Sequence, residues 1–355
     1  MRKALRLAER GRGRTSPNPM VGALVVDGEG VIVGRGAHEF AGGPHAEVIA
    51  IRDAGGRARG ATLYCTLEPC NHIGRTGPCA PFVADAGVSR VVIAADDPNP
   101  AAAGGSRLLR DRGVSVVTGV LSERATRLNA PFVTRITKGR PFVTMKIAIS
   151  LDGRIAAARG VRTALTGPAS NRFAHRERAE IDAIAVGAGT VVVDNPLLTA
   201  RGAYRFRPLV RVVYDRNLRV NPAARLFTTR REGPVIIVCT GSIIETRPDT
   251  AAALRDVGAE LLPVAAQSGL EDSLAALARR GVSSLIVEGG TRLHKAFWDA
   301  GCVDRVQMYV TDRVLGDDGV EWLGEPVLSS DRVACRTARP LGSDVLMEGY
   351  VHGAH

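Results

Sequence analysis

His45-Ala46-Glu47, followed by Glu68-Pro69-Cys70 and then Pro78-Cys79, decides the reading of this chain. Cys70 lies 25 residues after His45, and Cys79 lies nine after Cys70. One imidazole and two thiolates can hold Zn²⁺ and leave a fourth position to water. An open site of that kind is catalytic, because structural zinc sites are closed by four protein ligands. His45, Cys70 and Cys79 are therefore the expected metal ligands. Glu47 stands two residues past the imidazole and is not needed as a ligand. It is the expected catalytic acid–base, moving protons to and from the metal-activated water.

The local contexts fit. Val48, Ile49 and Ile51 form an amphipathic run that opens a helix at His45. The apolar run Ala61 to Leu67 reads as a buried strand that delivers Glu68-Pro69-Cys70 to its end. A second helix begins at Cys79 and closes at Gly87. A His-x-Glu element followed by Pro-Cys is the arrangement of zinc deaminases, in which a hydroxide attacks a ring carbon bearing an amine. Nucleic-acid deaminases place two residues between their cysteines, whereas this chain has eight, Asn71 to Pro78, with Ile73 where the short spacing would need Cys. The gap speaks against a nucleic-acid substrate. His72 is surplus to the ligand set and reads as a loop or substrate contact.

At 355 residues with 45% apolar content, the chain suits two domains, expected at 1–140 and 141–355. No apolar run approaches the ~18 residues of a membrane span. No charged-then-apolar leader precedes Leu5, so the expectation is a soluble cytoplasmic protein with no membrane partner. The net charge of +11 raises nucleic acid as a partner, but only four residues are Lys and the Arg residues are spread along the chain. A phosphorylated small substrate and a phosphate-rich cofactor account for part of that charge equally well. Six cysteines, two of them assigned to zinc and the rest scattered, fit a reducing compartment.

Both halves read as α/β. In the first, strands near 21–27, 31–36, 63–67, 90–95 and 114–118 alternate with helices around a mixed sheet. The pattern restarts after Pro141 with strands at 142–149, 182–187, 209–214, 234–239, 284–288, 306–310 and 344–350, and with helices at 168–179, 270–280 and 291–300. A Gly-x-Gly-x-x-Gly fingerprint is absent. Instead Val287-Glu288-Gly289-Gly290-Thr291 runs from a strand through glycines into a helix, where backbone N–H groups can receive a phosphate. A tight turn explains the same glycines equally well.

The run Leu67 to Cys79, with Pro17-Asn18-Pro19-Met20-Val21-Gly22 and Asp97-Pro98-Asn99-Pro100, resembles the deaminase half of the bifunctional riboflavin-pathway deaminase–reductase family. Met145 to Ala156, Ala183 to Thr199 and Val287 to Gly290 resemble its reductase half. The resemblance covers nearly the whole chain, in the family's order. It implies a cytidine-deaminase-like three-layer domain followed by a dihydrofolate-reductase-like domain that uses NADPH. It implies hydrolytic loss of the 2-amino group of 2,5-diamino-6-ribosylamino-4(3H)-pyrimidinone 5′-phosphate, then NADPH-dependent reduction of the ribosyl chain to ribityl. By position it places Ala148, Thr190, Asp194, Arg216, Gly290, Thr291, Arg292, Leu293, His294, Lys295 and Ala296 against the cofactor. It places Asn18, Arg162, Arg178, Leu198, Arg201 and Glu288 against the substrate. Arg178 and Arg201 suit the sugar phosphate, and Lys146 and Glu288 are the expected catalytic pair holding the ribose near the nicotinamide. A homo-oligomer, dimer or tetramer, is the expected assembly.

The second half departs from the family at three places. Where the family commonly shows Ser-x-Trp-Ile-Thr, this chain has Arg162-Thr163-Ala164-Leu165-Thr166. Arg162 thus replaces a serine that touches substrate, and Ala164 replaces a tryptophan that walls the cofactor. Arg216 replaces a serine beside the cofactor. The alternative to a working reductase is a deaminase whose second half is inactive or diverted to a related metabolite.

Overall fold

The structure, a computed structural model, describes residues 1–72, 77–267, 269–323 and 327–351. The chain divides into two compact units, Met1–Gly139 and the chain from Arg140 onward.

In the first unit the order is α1 (Arg2–Ala8), β1 (Gly22–Val26), β2 (Ile32–Ala37), α2 (Ala46–Ala54), β3 (Thr62–Leu67), α3 (Cys79–Asp85), β4 (Arg90–Ala95), α4 (Gly105–Asp111), β5 (Ser115–Val117), α5 (Ser122–Leu128) and α6 (Ala130–Lys138). The strands form one sheet in the order β2-β1-β3-β4-β5. β1 is antiparallel to both neighbours, while β3, β4 and β5 run parallel. One face carries Val25, Leu63, Cys65, Val91 and Ile93 against α2, α3 and α4. The other packs Ala94 against Leu5 of α1 and Ala125 of α5. The result is three layers, helix–sheet–helix. α2 lies directly on β2 because β2 has no side chain where the two meet. A Cβ on Gly36 would stand 2.0 Å from the Ala46 carbonyl oxygen.

The second unit runs β6 (Phe142–Ile149), β7 (Arg154–Ala156), α7 (Pro168–Glu180), β8 (Ala183–Gly187), α8 (Ala188–Asp194), β9 (Val210–Tyr214), β10 (Val235–Thr240), α9 (Gly241–Thr246), α10 (Pro248–Asp256), β11 (Ala259–Val264), α11 (Gly269–Arg279), β12 (Ser284–Val287), α12 (Thr291–Asp299), β13 (Arg305–Val310), β14 (Val320–Glu321), β15 (Val333–Leu341) and β16 (Asp344–Val351). Nine strands form one sheet in the order β11-β10-β9-β8-β12-β6-β13-β16-β15. It is parallel from β11 to β13 and antiparallel where β16 joins β13 and β15. Alternate residues of each central strand enter opposite cores. Ala183, Ala185, Ile236 and Val238 face Leu274, Leu277, Phe297 and Trp298, whereas Ile184, Val186, Ile237 and Cys239 face Val191, Leu226 and Leu254. Strands buried on both faces read as continuous apolar runs, which is why they stand out in the sequence.

Among the described residues no helix is long and apolar enough to cross a membrane. Cys65, Cys70, Cys79, Cys239 and Cys302 are free and buried, and Cys335 is exposed.

Candidate active sites

The first site is built from three chain breaks. His45 is the N-cap of α2, Cys70 follows the end of β3, and Cys79 is the first residue of α3. Their ligand atoms, one per residue, all lie within 4.8 Å of one another. His45 Nδ1 is 3.1 Å from Cys79 Sγ and 3.5 Å from Cys70 Sγ. Separations of this size are what three donors at Zn–S ≈ 2.3 Å and Zn–N ≈ 2.0 Å around one tetrahedral ion require. The residues present therefore fit zinc, with three protein donors and one vertex left open. Among the described residues they form the one such group, and His72 is outside it. Residues 73–76, including Ile73, lie outside the described residues.

The loops are tied so that the donors stay together. The main-chain N–H of Cys79 donates to Cys70 Sγ at 3.4 Å, and that of Ala80 donates to the Cys70 carbonyl at 3.0 Å. The Cys79 and His45 side chains hydrogen-bond to Cys70, and together with the Cys79 amide they draw its thiol well below the ordinary range. A thiolate is the form a metal takes. Glu68 closes the turn before Cys70 by accepting from the Ser106 amide at 2.8 Å and the Asp97 amide at 3.3 Å.

Glu47, on the first turn of α2, is only 3% exposed. Burial pushes its carboxyl up to about 7, against a weaker downward pull from its own backbone hydrogen bond and from His45. A carboxyl that changes charge near neutrality is suited to receive and return a proton. Behind the imidazole lies a second histidine. His38 stacks edge-on to His45 with ring centroids 5.5 Å apart. Its Nδ1–H donates to the Pro44 carbonyl at 3.0 Å, and its Nε2 accepts from Asn18 Nδ2 at 3.2 Å. Asn18 is thus held through His38 one residue from the ligand loop. Nothing in the sequence marks His38, an isolated histidine that acts by fixing Pro44.

The second site is a cavity of about 1850 Å³ at the carboxyl ends of the parallel strands. Open α/β sheets bind ligands there. Lys146, Ala148, Arg162, Ala164, Arg178, Thr190, Asp194, Leu198, Arg201, Arg216, Glu288, Gly290, Thr291, Arg292, Leu293 and Ala296 all line it. The side chains of His294 and Lys295 do not. His294 is fully buried under α12, where Nε2–H donates to the Val287 carbonyl at 3.2 Å and Nδ1 accepts from Trp322 Nε1 at 3.1 Å. Burial lowers its pKa to about 4, so the ring is neutral. Lys295 lies on the exposed side of α12 and pairs with Asp299 at 3.0 Å.

Arg178 does not hold its guanidinium free. Nε donates to Glu288 Oε1 at 2.9 Å and Nη2 to Oε2 at 2.6 Å. Burial disfavours the Glu288 charge, but Arg178 and then Lys146 override it and bring the carboxyl down to about 2. Burial also lowers the Lys146 pKa, with Glu288 opposing. Lys146 Nζ sits 5.0 Å from the Tyr309 ring centroid. Of the departures from the family pattern, Arg162 is close enough to Asp194 to oppose the rise that burial gives its carboxyl. Ala164 leaves a stretch of cavity wall without an aromatic face.

Just past the end of β12, Gly289 takes φ +132°, and a Cβ there would stand 3.0 Å from Thr190 Oγ1. Only glycine lets the strand end pass α8 and hand the chain to α12.

Residues 1–95 match the cytidine and deoxycytidylate deaminase zinc-binding region, and residues 141–347 match the RibD C-terminal domain. Fold and sites thereby define a two-unit enzyme, a zinc deaminase followed by a reductase of dihydrofolate-reductase-like architecture. The riboflavin biosynthesis protein RibD of Aquifex aeolicus is 39% identical over 350 residues, covering 98% of this chain and 96% of its own length. The RibD of Escherichia coli strain K12 is 38% identical over 332 residues, covering 90% and 88%. Among solved structures, Acinetobacter baumannii RibD superposes with a TM-score of 0.86 at 32% identity, covering 99% of this chain and 97% of its own. A Thermotoga maritima diaminohydroxyphosphoribosylaminopyrimidine deaminase/5-amino-6-(5-phosphoribosylamino)uracil reductase superposes with a TM-score of 0.85 at 36% identity, again covering 99% and 97%. The chain belongs to the RibD family of riboflavin biosynthesis proteins, whose members deaminate and reduce. It is an enzyme of riboflavin biosynthesis, a zinc-dependent deaminase and an NADPH-dependent reductase in one polypeptide.

Proposed function

We propose that the first unit removes the 2-amino group of 2,5-diamino-6-ribosylamino-4(3H)-pyrimidinone 5′-phosphate and that the second reduces the ribosyl chain of the product to ribityl. His45, Cys70 and Cys79 hold the zinc. Bound there, zinc is a Lewis acid that makes water nucleophilic near neutral pH. Glu47 takes one proton of that water and delivers it to the ring nitrogen, then takes the remaining hydroxyl proton and delivers it to the departing amine. A C–O bond forms, the C–N bond breaks, and ammonia leaves. Burial of Glu47 keeps its proton off solvent between those two deliveries.

In the second unit Arg178 fixes Glu288 as a carboxylate. Glu288 and Lys146 then orient the ribose through its hydroxyls. Ala148, Thr190, Asp194, Gly290, Thr291, Arg292, Leu293 and Ala296 receive the cofactor, and Arg162 and Arg216 face it with positive charge. NADPH would supply C1′ with a hydride as the bond from C1′ to the ring oxygen breaks, and one proton from solvent completes the ribityl product. Leu198 and Arg201 complete the substrate contacts of this unit, and Asn18 is a substrate contact of the first. The chain acts in the cytoplasm as a homo-oligomer, dimer or tetramer; five buried free cysteines, two of them at the metal, support a reducing location.

The observation that carries this reading is the three-donor cluster beside a buried glutamate. Purified protein is expected to contain one zinc per chain and to release ammonia from the diaminopyrimidine ribotide. Added NADPH is expected to be oxidised only after that release. Protein without zinc, or NADPH oxidation on the undeaminated ribotide, would reject it.

A further inference from the structure

In the proposed reduction Lys146 orients the ribose, and a long flexible side chain does so only if something directs it. β6, which carries Lys146, lies between β12 and β13 in the sheet. On the β12 side, just past the strand end, stands Glu288, forked on Arg178 of α7. On the β13 side stands Tyr309, which holds the Lys146 ammonium over its ring face, 5.0 Å from the centroid. Gln307 is the register partner of Lys146 and Tyr309 that of Ala148, so these four side chains leave one face of the sheet.

The ring cannot turn away. Tyr309 is fully buried, and its hydroxyl donates to Glu177 Oε2 at 3.1 Å. Burial, and then the Glu177 charge, push the phenol well above its ordinary range, so it keeps the proton it donates. Glu177 is fixed in turn, because Oε1 accepts from Gln307 Nε2 at 2.7 Å and from Arg305 Nη2 at 3.3 Å. Glu177 and Arg178 are consecutive on α7 and point about 100° apart. One residue of that turn therefore braces the β13 side of Lys146, and the next braces the β12 side. A carboxylate in place of the ring would take up ammonium N–H groups in an ion pair. The negative face of a phenol attracts the charge and uses none of the three N–H donors, which stay available to a ligand. Neither Tyr309 nor Glu177 lines the cavity, whereas Lys146 does, so the ring acts on a ligand only through the lysine.

We propose that Tyr309 is a positioning residue for the reduction, its ring face holding the Lys146 ammonium at the cavity wall and its hydroxyl locking the ring onto Glu177. This deepens the proposed reductase function and rests on that reading. The other groups whose charge couples to Lys146 are Glu288, Arg178 and Glu177, together with the neutral His294. All four are kept in the test, so a change at Lys146 reports the ring.

The chain has only four lysines, so ¹³C-labelled lysine side chains resolve Lys146 from Lys3, Lys138 and Lys295 in an NMR titration. Full-length protein is compared with Tyr309→Phe, which keeps the ring face and loses the hydroxyl. The third protein carries trifluorophenylalanine at position 309, which keeps the ring in place and drains its face of negative charge. A ring that holds the ammonium favours the charged form. The fluorinated ring is therefore expected to lower the Lys146 pKa by about one unit relative to phenylalanine, with the other three lysines unmoved. NADPH oxidation on the deaminated ribotide is expected to lose about tenfold in kcat in the fluorinated protein, the kinetic equivalent of that unit, with KM for NADPH kept. The alkaline limb of its pH profile should move down with the lysine, and Tyr309→Phe should retain most of the rate. Ammonia release, which uses residues of the other unit, reports an intact chain. Identical Lys146 titrations with the plain and fluorinated rings overturn the proposal, as do identical rates and pH profiles in an active enzyme. Unaltered protein that binds the ribotide but oxidises no NADPH refutes the reductase reading instead, while the lysine titration still decides Tyr309.

Discussion

Arg178 and Glu288 meet fork to fork, at 2.9 and 2.6 Å, although they lie 110 positions apart in the chain. The pair does more than join two elements, because it sets the charge of a carboxylate whose field reaches Lys146. Arg178→Met is therefore expected to abolish ribotide-dependent NADPH oxidation while ammonia release continues. It also leaves a buried charge without its partner, which costs about 3 kcal/mol. Glu288 titrates near 2 in the folded chain, below the 4.5 of a free glutamate. The stability it contributes is complete above about 4.5 and is lost as pH falls toward 2. Unfolding curves of the two proteins should accordingly differ most at neutral pH and converge in acid. Parallel curves at every pH would show that the pair does not hold the charge.

Glu47→Gln removes the proton carrier and keeps its size and its place on α2. Zinc content by atomic absorption should be unchanged, and ammonia release should fall by about 10²- to 10⁴-fold, the usual contribution of a positioned acid–base. Near-normal ammonia release would mean that Glu47 carries no proton.

Cys79→Ser should lose the metal and lower the unfolding temperature of the first unit, since the ligands come together only in the folded chain. A chelator should do the same to the unaltered protein. The transition of the second unit should not move in either experiment, and a shift there would contradict a metal confined to residues 45, 70 and 79.

His294 offers a second acid dependence with a different window. Its ring titrates near 4 in the folded chain, against 6.5 when exposed. Folding therefore favours the neutral ring, and stability falls as pH drops from about 6.5 to about 4, by at most ~3 kcal/mol. His294→Leu should remove this acid slope and should also destabilise at neutral pH, because Trp322 Nε1 loses its acceptor. Differential scanning calorimetry between pH 4 and 8 reads both effects.

Ala164→Trp tests the missing aromatic wall. If the space beside the cofactor is open, an indole there should tighten NADPH by about tenfold, the worth of one stacked ring. Fluorescence titration measures it directly, and weaker binding would show that the wall is already filled.

Much of this architecture is legible before any coordinates. β6 is readable because Pro141 precedes a mostly apolar run, broken only by Thr144 and Lys146, and Ser150-Leu151-Asp152-Gly153 turns the chain after it. The zinc ligands are readable because each sits at an element end that the sequence marks, by an amphipathic start or a proline. α8 carries no such mark. Its Gly-Thr-Val-Val-Val run favours a strand, and it is helical because Val191 fills the core while Val192 and Val193 face outward. β15 is concealed for another reason. Seven consecutive residues are exposed, Arg336 and Arg339 among them, so no alternation shows, and the strand is made by its pairing with β16. The Arg178 fork is invisible because a cation that binds phosphate and one that orients a carboxylate are the same residue type. His294 and Lys295 sit in the helical run beside the cofactor loop, but consecutive helical positions point about 100° apart, so a contiguous stretch cannot all face one cavity.

Glu288, Gly289 and Gly290 are adjacent in the chain, and they close a strand clamped between β8 and β6. Sliding β12 by a single residue against these neighbours would turn the carboxylate through the sheet and carry the bare backbone away from Thr190 in the same movement. Fuel and feedstock are thus indexed by one short ruler. Natural variation cannot recalibrate either without disturbing its companion, and drift toward new substrates must enter through the surrounding loops.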